Sequence, residues 1–337
     1  MTTVDISSLA LSRSSGPRLS RSHTLNFIGD WGQANFHRIC GWLTQEFCDR
    51  AGPLSRVATW SIRGGGIESL YLVQNGEADL AINTPAKLLK SALTGEDGSL
   101  FAGKPLPNLR ALAVLPQNDR MVLAIDPKLQ IKTFDDLRRV KPPLKIATST
   151  HDGTNFIGFV ARRFIEAHGI SEAELNSWGG KFVTAQRPEQ CIAFMESGEA
   201  DAVLQEAIMT PWWRALIESG RLVPLPAEQA ALDSLHASIG LPTNSLPKGY
   251  WANLETELPA LDFSDFVIFV RDDMPQDIAY LLTWCLVETR AAIEVQYKHI
   301  PPEKSPLTYP LNPAEMAKTP FPLHPGAQRY YSEKGYL

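Results

Sequence analysis

The residues best suited to chemistry sit in a few short polar stretches. Arg63 precedes Gly64, Gly65 and Gly66. Glycines let a backbone come close to a ligand, and a guanidinium grips a carboxylate through two parallel hydrogen bonds. His151 and Asp152 open the stretch that continues through Gly153, Thr154 and Asn155. An imidazole there can donate to an anion or move a proton, whereas Asp152, Thr154 or Asn155 can equally cap the helix that follows. Asp30 and Glu206 are acids able to hold a ligand amine or act as a base, with hydrogen bonding to loop amides as the structural alternative. Trp31 and Phe36 offer an apolar wall for a ring or chain, with Gln33 and Asn35 as polar neighbours, and Asn83 with Thr84 forms another polar loop. No His/Cys cluster has metal-ligand spacing, no cofactor fingerprint is present, and Arg63-Gly-Gly-Gly lacks dinucleotide spacing. The expectation is therefore a site without metal or cofactor.

Those stretches need elements to hold them. Thr24–Ile28 reads as a strand and Phe36–Arg50 as a helix, with Phe36, Ile39, Cys40, Leu43 and Phe47 at 3–4 spacing. Arg56–Ile62 reads as a second strand, a helix runs from Ile67 to Asn75-Gly76, and Ala78–Ile82 is a third strand. The same rhythm returns in Leu144–Ala147, a helix from Phe156 to His168, Phe182–Thr184, a helix over Arg187–Glu196, and Ala200–Leu204. Strand–helix–strand units of this kind predict parallel pairing with crossover helices. An internal echo supports two like halves: Asn75-Gly-Glu-Ala-Asp-Leu-Ala matches Ser197-Gly-Glu-Ala-Asp-Ala-Val, each at a helix end followed by a buried strand. The reading is an α/β, two-lobed fold with a ligand cleft between the lobes. Residues 1–23 form a flexible arm, 24–116 plus 261–337 one lobe, and 117–260 the other. Gln117–Asp126 carries one crossing, Leu261–Val270 is a strand returning to the first lobe, a helix spans Gln276–Val295, and Pro226–Pro259 is a loop-rich excursion.

Composition narrows the function. The chain has 337 residues, a size suited to two lobes, with 44% hydrophobic and 20% charged residues. A formal net charge of -5 without a basic run excludes a nucleic-acid footprint. No run approaches the ~18 apolar residues of a membrane span. Cys40 and Cys48 share one helix at roughly 12 Å along its axis, beyond disulfide reach, so the cysteines read as small buried hydrophobes. The first residues lack the apolar core of a secretory signal. As written the chain reads as cytoplasmic, or periplasmic if the true start lies upstream.

Three segments resemble the TAXI solute receptors of TRAP transporters: Gly103-Lys-Pro-Leu-Pro-Asn-Leu-Arg-Ala-Leu-Ala-Val; Gly65-Gly-Ile-Glu-Ser-Leu with Asn75-Gly-Glu-Ala-Asp-Leu; and the most specific, Pro322-Leu-His-Pro-Gly-Ala-Gln-Arg-Tyr-Tyr-Ser-Glu-Lys-Gly. The resemblance covers roughly residues 24–337. It implies a type II periplasmic-binding fold with a hinged cleft, glutamate-like or other small carboxylate ligands, and a TRAP membrane permease as partner. Both loops that cradle ligand in that family are altered here. A tyrosine pair followed by proline becomes Asn35, Phe36 and His37, and a Gly-Ser-Gly-Thr cradle becomes Thr150-His151-Asp152-Gly153-Thr154-Asn155.

Ligands of open α/β sheets bind outside the carboxyl ends of the strands, where helix N-termini favour anions. The expected act is therefore capture of a small carboxylate, with an aromatic one accommodated by Trp31 and Phe36. The expected contacts are Asp30, Trp31, Gln33, Asn35, Phe36, Arg63, Gly65, Gly66, Asn83, Thr84, His151, Gly153, Thr154, Asn155 and Glu206. The rival is an enzyme on the same fold, such as a decarboxylase, using His151, Asp152 and Asp30.

Overall fold

In the computed structural model, residues 16–29, 35–62, 64, 66–96 and 99–337 are described. The first sheet has the order β2-β1-β3-β11-β4, built from β1 (Thr24–Ile28), β2 (Arg56–Trp60), β3 (Leu80–Asn83), β4 (Leu109–Leu115) and β11 (Phe266–Arg271). β1 pairs in parallel with β2 and β3, as strands joined through helices α1 (Asn35–Cys48) and α2 (Ile67–Gln74) must. β11 enters antiparallel between β3 and β4. Its run Phe266-Val-Ile-Phe-Val is wholly buried, as expected for a strand covered on both faces.

The second sheet has the order β10-β5-β8-β6-β7, with β9 also on β5. Its strands are β5 (Arg120–Ile125), β6 (Lys145–Ser149), β7 (Lys181–Ala185), β8 (Ala202–Gln205), β9 (Val223–Leu225) and β10 (Leu261–Asp262). Helices α3 (Phe156–Ala167) and α4 (Pro188–Ser197) make its parallel crossovers, and α5 (Pro211–Glu218) follows β8. The chain thus forms two α/β lobes with helices covering each sheet.

Two crossings join the lobes side by side. Phe263 N donates to Asp119 O at 3.1 Å and Asp265 N to Gln117 O at 3.0 Å. These bonds continue the antiparallel ladder between β10–β5 on one side and β11–β4 on the other. Asp265 turns with a φ of 61°, and this bend divides what reads in sequence as one strand, Leu261–Val270. Leu261–Asp262 belongs to the second sheet and Phe266–Arg271 to the first.

Two other elements differ from their sequence reading. The Pro226–Pro259 excursion contains helix α6 (Gln229–Ile239), whose Ala231, Leu232, Leu235 and Ile239 form the buried stripe. The helix expected over Gln276–Val295 divides at Thr289, whose Oγ1 donates back to Cys285 O at 2.7 Å. The pieces are α7 (Gln276–Glu288) and a short turn, Arg290–Glu294. Helix α8 (Pro325–Glu333) packs on α7, with His324 as its N-cap, accepting from Gly326 N at 3.1 Å. The four cysteines are free, and all but the half-buried Cys48 are buried. No helix among the described residues is long and apolar enough to cross a membrane.

Candidate functional site

The lobes meet at the carboxyl ends of their strands and enclose a cavity of about 430 Å³, within the range of small-molecule sites. The loop before α2 touches the loop before α3. Gly66 and Asn155 form an isolated bridge, and Ile67 N donates to Thr154 O at 3.3 Å. The rings of Phe101 and Phe156 lie 6.2 Å apart across the same seam. The cleft is therefore closed over the cavity at this edge.

From the first lobe, Ile28 at the end of β1, Asn35, Phe36 and Arg38 at the start of α1, Gly66 and Ser69 around the start of α2, and Asn83 and Thr84 at the end of β3 line the cavity. From the second come Phe156 and Ile157 at the start of α3, Pro188 and Glu189 at the start of α4, and Glu206 through Trp212 leading into α5, Ile208 and Pro211 excepted. Gln117 and Phe263 of the two crossings, with Ile62, Ile82 and Pro306, complete the described lining. Five helices thus place their N-terminal turns around one space. Their orphan N–H groups and partial positive charge favour an anionic group there. Asn155 already caps α3, accepting from Ile157 N at 2.9 Å and Gly158 N at 3.2 Å. No side chain caps α5, whose Thr210 hydroxyl instead donates to Ala207 O at 2.7 Å.

Several polar residues are fixed before any ligand arrives. Asn83 Nδ2 donates to Gly66 O at 2.6 Å and to Ser69 Oγ at 3.0 Å. Asn35 donates to Pro306 O at 2.9 Å and accepts from the Tyr297 hydroxyl. Phe36 is buried with its ring 4.9 Å from that of Phe266. Gly66 holds a φ of 99°, and a Cβ there would collide with Asn83 Oδ1 and stand 3.1 Å from the Phe156 ring. Gly66→Val is expected to cost about 2–3 kcal/mol of stability through backbone strain and overpacking, and to loosen the seam between the lobes. Chemical denaturation checks the first effect and limited proteolysis the second.

The acidic end of the cavity is built from the hinge. Asp119 is fully buried and accepts from the backbone N–H groups of Arg120 (2.7 Å), Ala207 (2.9 Å) and Ile208 (3.1 Å), and from Gln117 Nε2 at 3.2 Å. Burial pushes the Asp119 carboxyl above the ordinary carboxylate range, against the pull of Glu206 and the three amides. Ala207 takes a φ of 63°, a strained conformation that these amide bonds hold in place. Trp213 Nε1 pins the Glu206 carbonyl at 2.8 Å.

Of the residues expected from sequence, Asn35, Phe36, Gly66, Asn83, Thr84 and Glu206 are brought together in the cavity lining. Asp30, Trp31, Gln33, Arg63 and Gly65 lie outside the described residues. His151, Asp152 and Gly153 are exposed, and neither they nor Thr154 and Asn155 line the cavity. Asp152 closes an Asx turn, accepting from Thr154 N at 3.0 Å and Thr154 Oγ1 at 2.6 Å. These bonds, the hydroxyl's first, hold its carboxyl below the ordinary range. Partial burial, then Arg162, lowers His151, so its neutral form is favoured.

Sequence reasoning missed Ser69, Gln117 and Trp212. In the sequence alone, Trp212-Trp213 after Pro211 suits hinge or core packing. In the structure Trp213 is core, stacked 6.1 Å from Trp251, while Trp212 faces the cavity. Pro211 at the helix start was the available signal, because the residue after it must fall in the first turn of α5. Among the described residues, no group of three or more His, Cys, Asp or Glu side chains is placed to hold a metal ion.

Comparison with known proteins agrees with this architecture. No curated protein matches the sequence. A solved structure of a periplasmic transporter aligns with a TM-score of 0.50 at 14% identity, over 94% of this chain and 95% of its own. MatC from Rhodopseudomonas palustris with bound malate aligns with a TM-score of 0.51 at 10% identity, over 92% and 97%. A second R. palustris protein, with adipate, gives 0.50 at 14%, over 94% and 96%. At such identities the likeness is one of fold, and that fold is the two-lobed α/β periplasmic-binding-protein-like fold. The model of the NMT1-like family matches residues 54–335, so the chain belongs to the NMT1-like family.

Proposed function

We propose that this protein captures a small carboxylate-bearing organic solute in the cavity between its lobes, as a solute receptor of the TAXI kind that delivers to a TRAP permease. The observation that carries the reading is the convergence of five helix N-termini on one cavity of about 430 Å³. The malate and adipate in two structures of the same fold support the ligand class. The TAXI assignment rests on the resemblance of the closing segment Pro322–Gly335. Apolar walls from Phe36, Phe156 and Trp212 suit a carboxylate with an aromatic or aliphatic body. The proposed grip combines the helix termini with Arg63 and the second amide N–H of Asn35, while Asn83 and Thr84, whose donors are already engaged, shape the wall. Closure of the lobes traps the solute without chemistry.

Calorimetry against mono- and dicarboxylates, with and without an α-amino group, tests the proposal. Saturable binding by at least one carboxylate is expected, with Trp212→Ala weakening it about tenfold or more through lost apolar contact. His151→Ala is expected to change affinity less than threefold, because His151 faces solvent. A panel without a binder overturns the reading. A product detected by mass analysis after long incubation overturns the receptor in favour of the enzyme on the same fold.

A further inference from the structure

The edge of the cavity carries a cation that the fold itself does not use. Arg38 lines the cavity from the first turn of α1 and is exposed. A cation in the first turn of a helix opposes the helix dipole, so Arg38 weakens α1 where it stands. No acidic residue in that turn offsets it. Among the described residues no carboxylate forms an ion pair with Arg38. Glu189, the exposed acid that lines the cavity from the other lobe, is not paired with it either.

Arg38 does have a platform. Its guanidinium stands 5.6 Å from the centroid of the Tyr297 ring. Tyr297 is fully buried, and its hydroxyl donates to Asn35, whose own amide donates to Pro306 O at 2.9 Å. Asn35 and Pro306 line the same cavity. Burial pushes the Tyr297 phenol up, against the pull of Arg38, so the ring beside the guanidinium is neutral. A neutral ring face orients a guanidinium and supplies no counter-charge. The side chain is thus held at the cavity with its positive charge uncompensated.

We infer that Arg38 is a specificity-determining residue that holds the ligand's carboxylate at the exposed edge of the cavity, with the apolar body of the ligand turned inward against Phe36, Phe156 and Trp212. This rests on the proposed carboxylate capture. The guanidinium offers two parallel N–H groups to the two carboxylate oxygens, a match that a carboxamide, with one acceptor oxygen, cannot reproduce. Tyr297 acts through Arg38 as its positioning residue.

The test is calorimetry of the full chain with acid and amide pairs of one skeleton: 3-phenylpropionate and 3-phenylpropionamide, adipate and adipamide, glutamate and glutamine. At least one acid is expected to bind, and its amide to bind about tenfold or more weakly. Arg38→Gln is expected to weaken the acid about tenfold and to remove both that preference and its decline with added salt, because an exposed ion pair is screened. Arg38→Lys keeps the charge without the fork and is expected to recover only part of the loss. Should Arg38→Gln fold poorly, phenylglyoxal labelling of the unaltered protein decides. Bound acid is expected to shield Arg38 from the reagent, and labelling unchanged by the acid overturns the inference. An acid that binds Arg38→Gln as tightly as the unaltered protein overturns it too, as does a loss produced by Arg63→Gln alone, while carboxylate capture survives all three results. Amides that bind as tightly as their acids, or a panel with no binder, overturn carboxylate capture and the inference with it.

Discussion

Replacing Arg120 with methionine is expected to destabilise the protein by about 3–5 kcal/mol, the usual result of leaving buried charge uncompensated. Arg120 is buried at the start of β5, where the lobes join. Its Nε donates to Asn244 O and its Nη2 to Asn244 Oδ1, both at 2.6 Å, and its Nη1 to Asp119 O at 2.9 Å. Asn244 in turn donates to Asp262 Oδ1 at 2.7 Å. Burial lowers the Arg120 pKa, opposed first by Asp262 and then by Asp119, yet a guanidinium remains charged. Methionine fills similar volume but removes the guanidinium beside Asp119, Asp262 and Asp265, while Lys87 still engages Asp262 at 2.6 Å. Urea unfolding measures the loss, and a change below about 1 kcal/mol would show that the cluster relaxes by taking up protons.

Acid is expected to weaken the fold before any ordinary carboxylate titrates. His168 is buried at the C-terminus of α3, stacked on Phe134 with ring centroids 3.7 Å apart. Its Nδ1 lies 2.7 Å from Phe164 O, and its Nε2 accepts from Glu228 N at 3.0 Å. Nε2 must stay unprotonated to accept, so the ring is neutral, with its proton on Nδ1. Burial lowers its pKa from 6.5 to about 4. The folded value lies below the unfolded one, so the unfolded chain binds the proton first. The stability that His168 supports is present in full above pH 6.5 and lost as pH falls toward 4, by about 3 kcal/mol in all and about 2 kcal/mol by pH 5. His151 and His324 are lowered too and share the sign. Unfolding free energies of wild type and His168→Gln, compared between pH 7.5 and pH 5, isolate the His168 part. Parallel curves would refute it.

Much of the fold was legible because its signals are local. β1, α1, α2 and α3 lie within a few residues of their sequence reading, since apolar spacing and a polar or glycine boundary mark each one. Helix α6 was hidden by the prolines around it, and the bend at Asp265 by the long apolar run that continues past it. Both depend on partners distant in sequence: the bend exists because Gln117 and Asp119 pair with it across the hinge. The same distinction divides the site. Asn83 and Glu206 each end or follow a buried strand, and the rule that sites lie beyond the carboxyl ends of strands finds them. His151 stands beyond β6 and satisfies the same rule. Instead the loop turns Thr154 and Asn155 toward Gly66 and Ile67 and leaves the imidazole in solvent. Asp119 carries no sequence signal, because its part comes wholly from three backbone amides and an acid that folding brings around it.

The place of β11 bears on how the protein is made. The strand sits between β3 and β4, yet a ribosome synthesises it only after the entire second sheet. Until Phe266–Arg271 emerges, the nascent first lobe has β3 and β4 without the neighbour that joins them, and exposed apolar edges of this kind invite association with other chains. The second sheet faces no such delay, apart from its short edge strand β10. Vectorial synthesis therefore favours completing the inserted lobe first. The outer lobe closes around its last strand at nearly the same moment as the cavity between them takes shape.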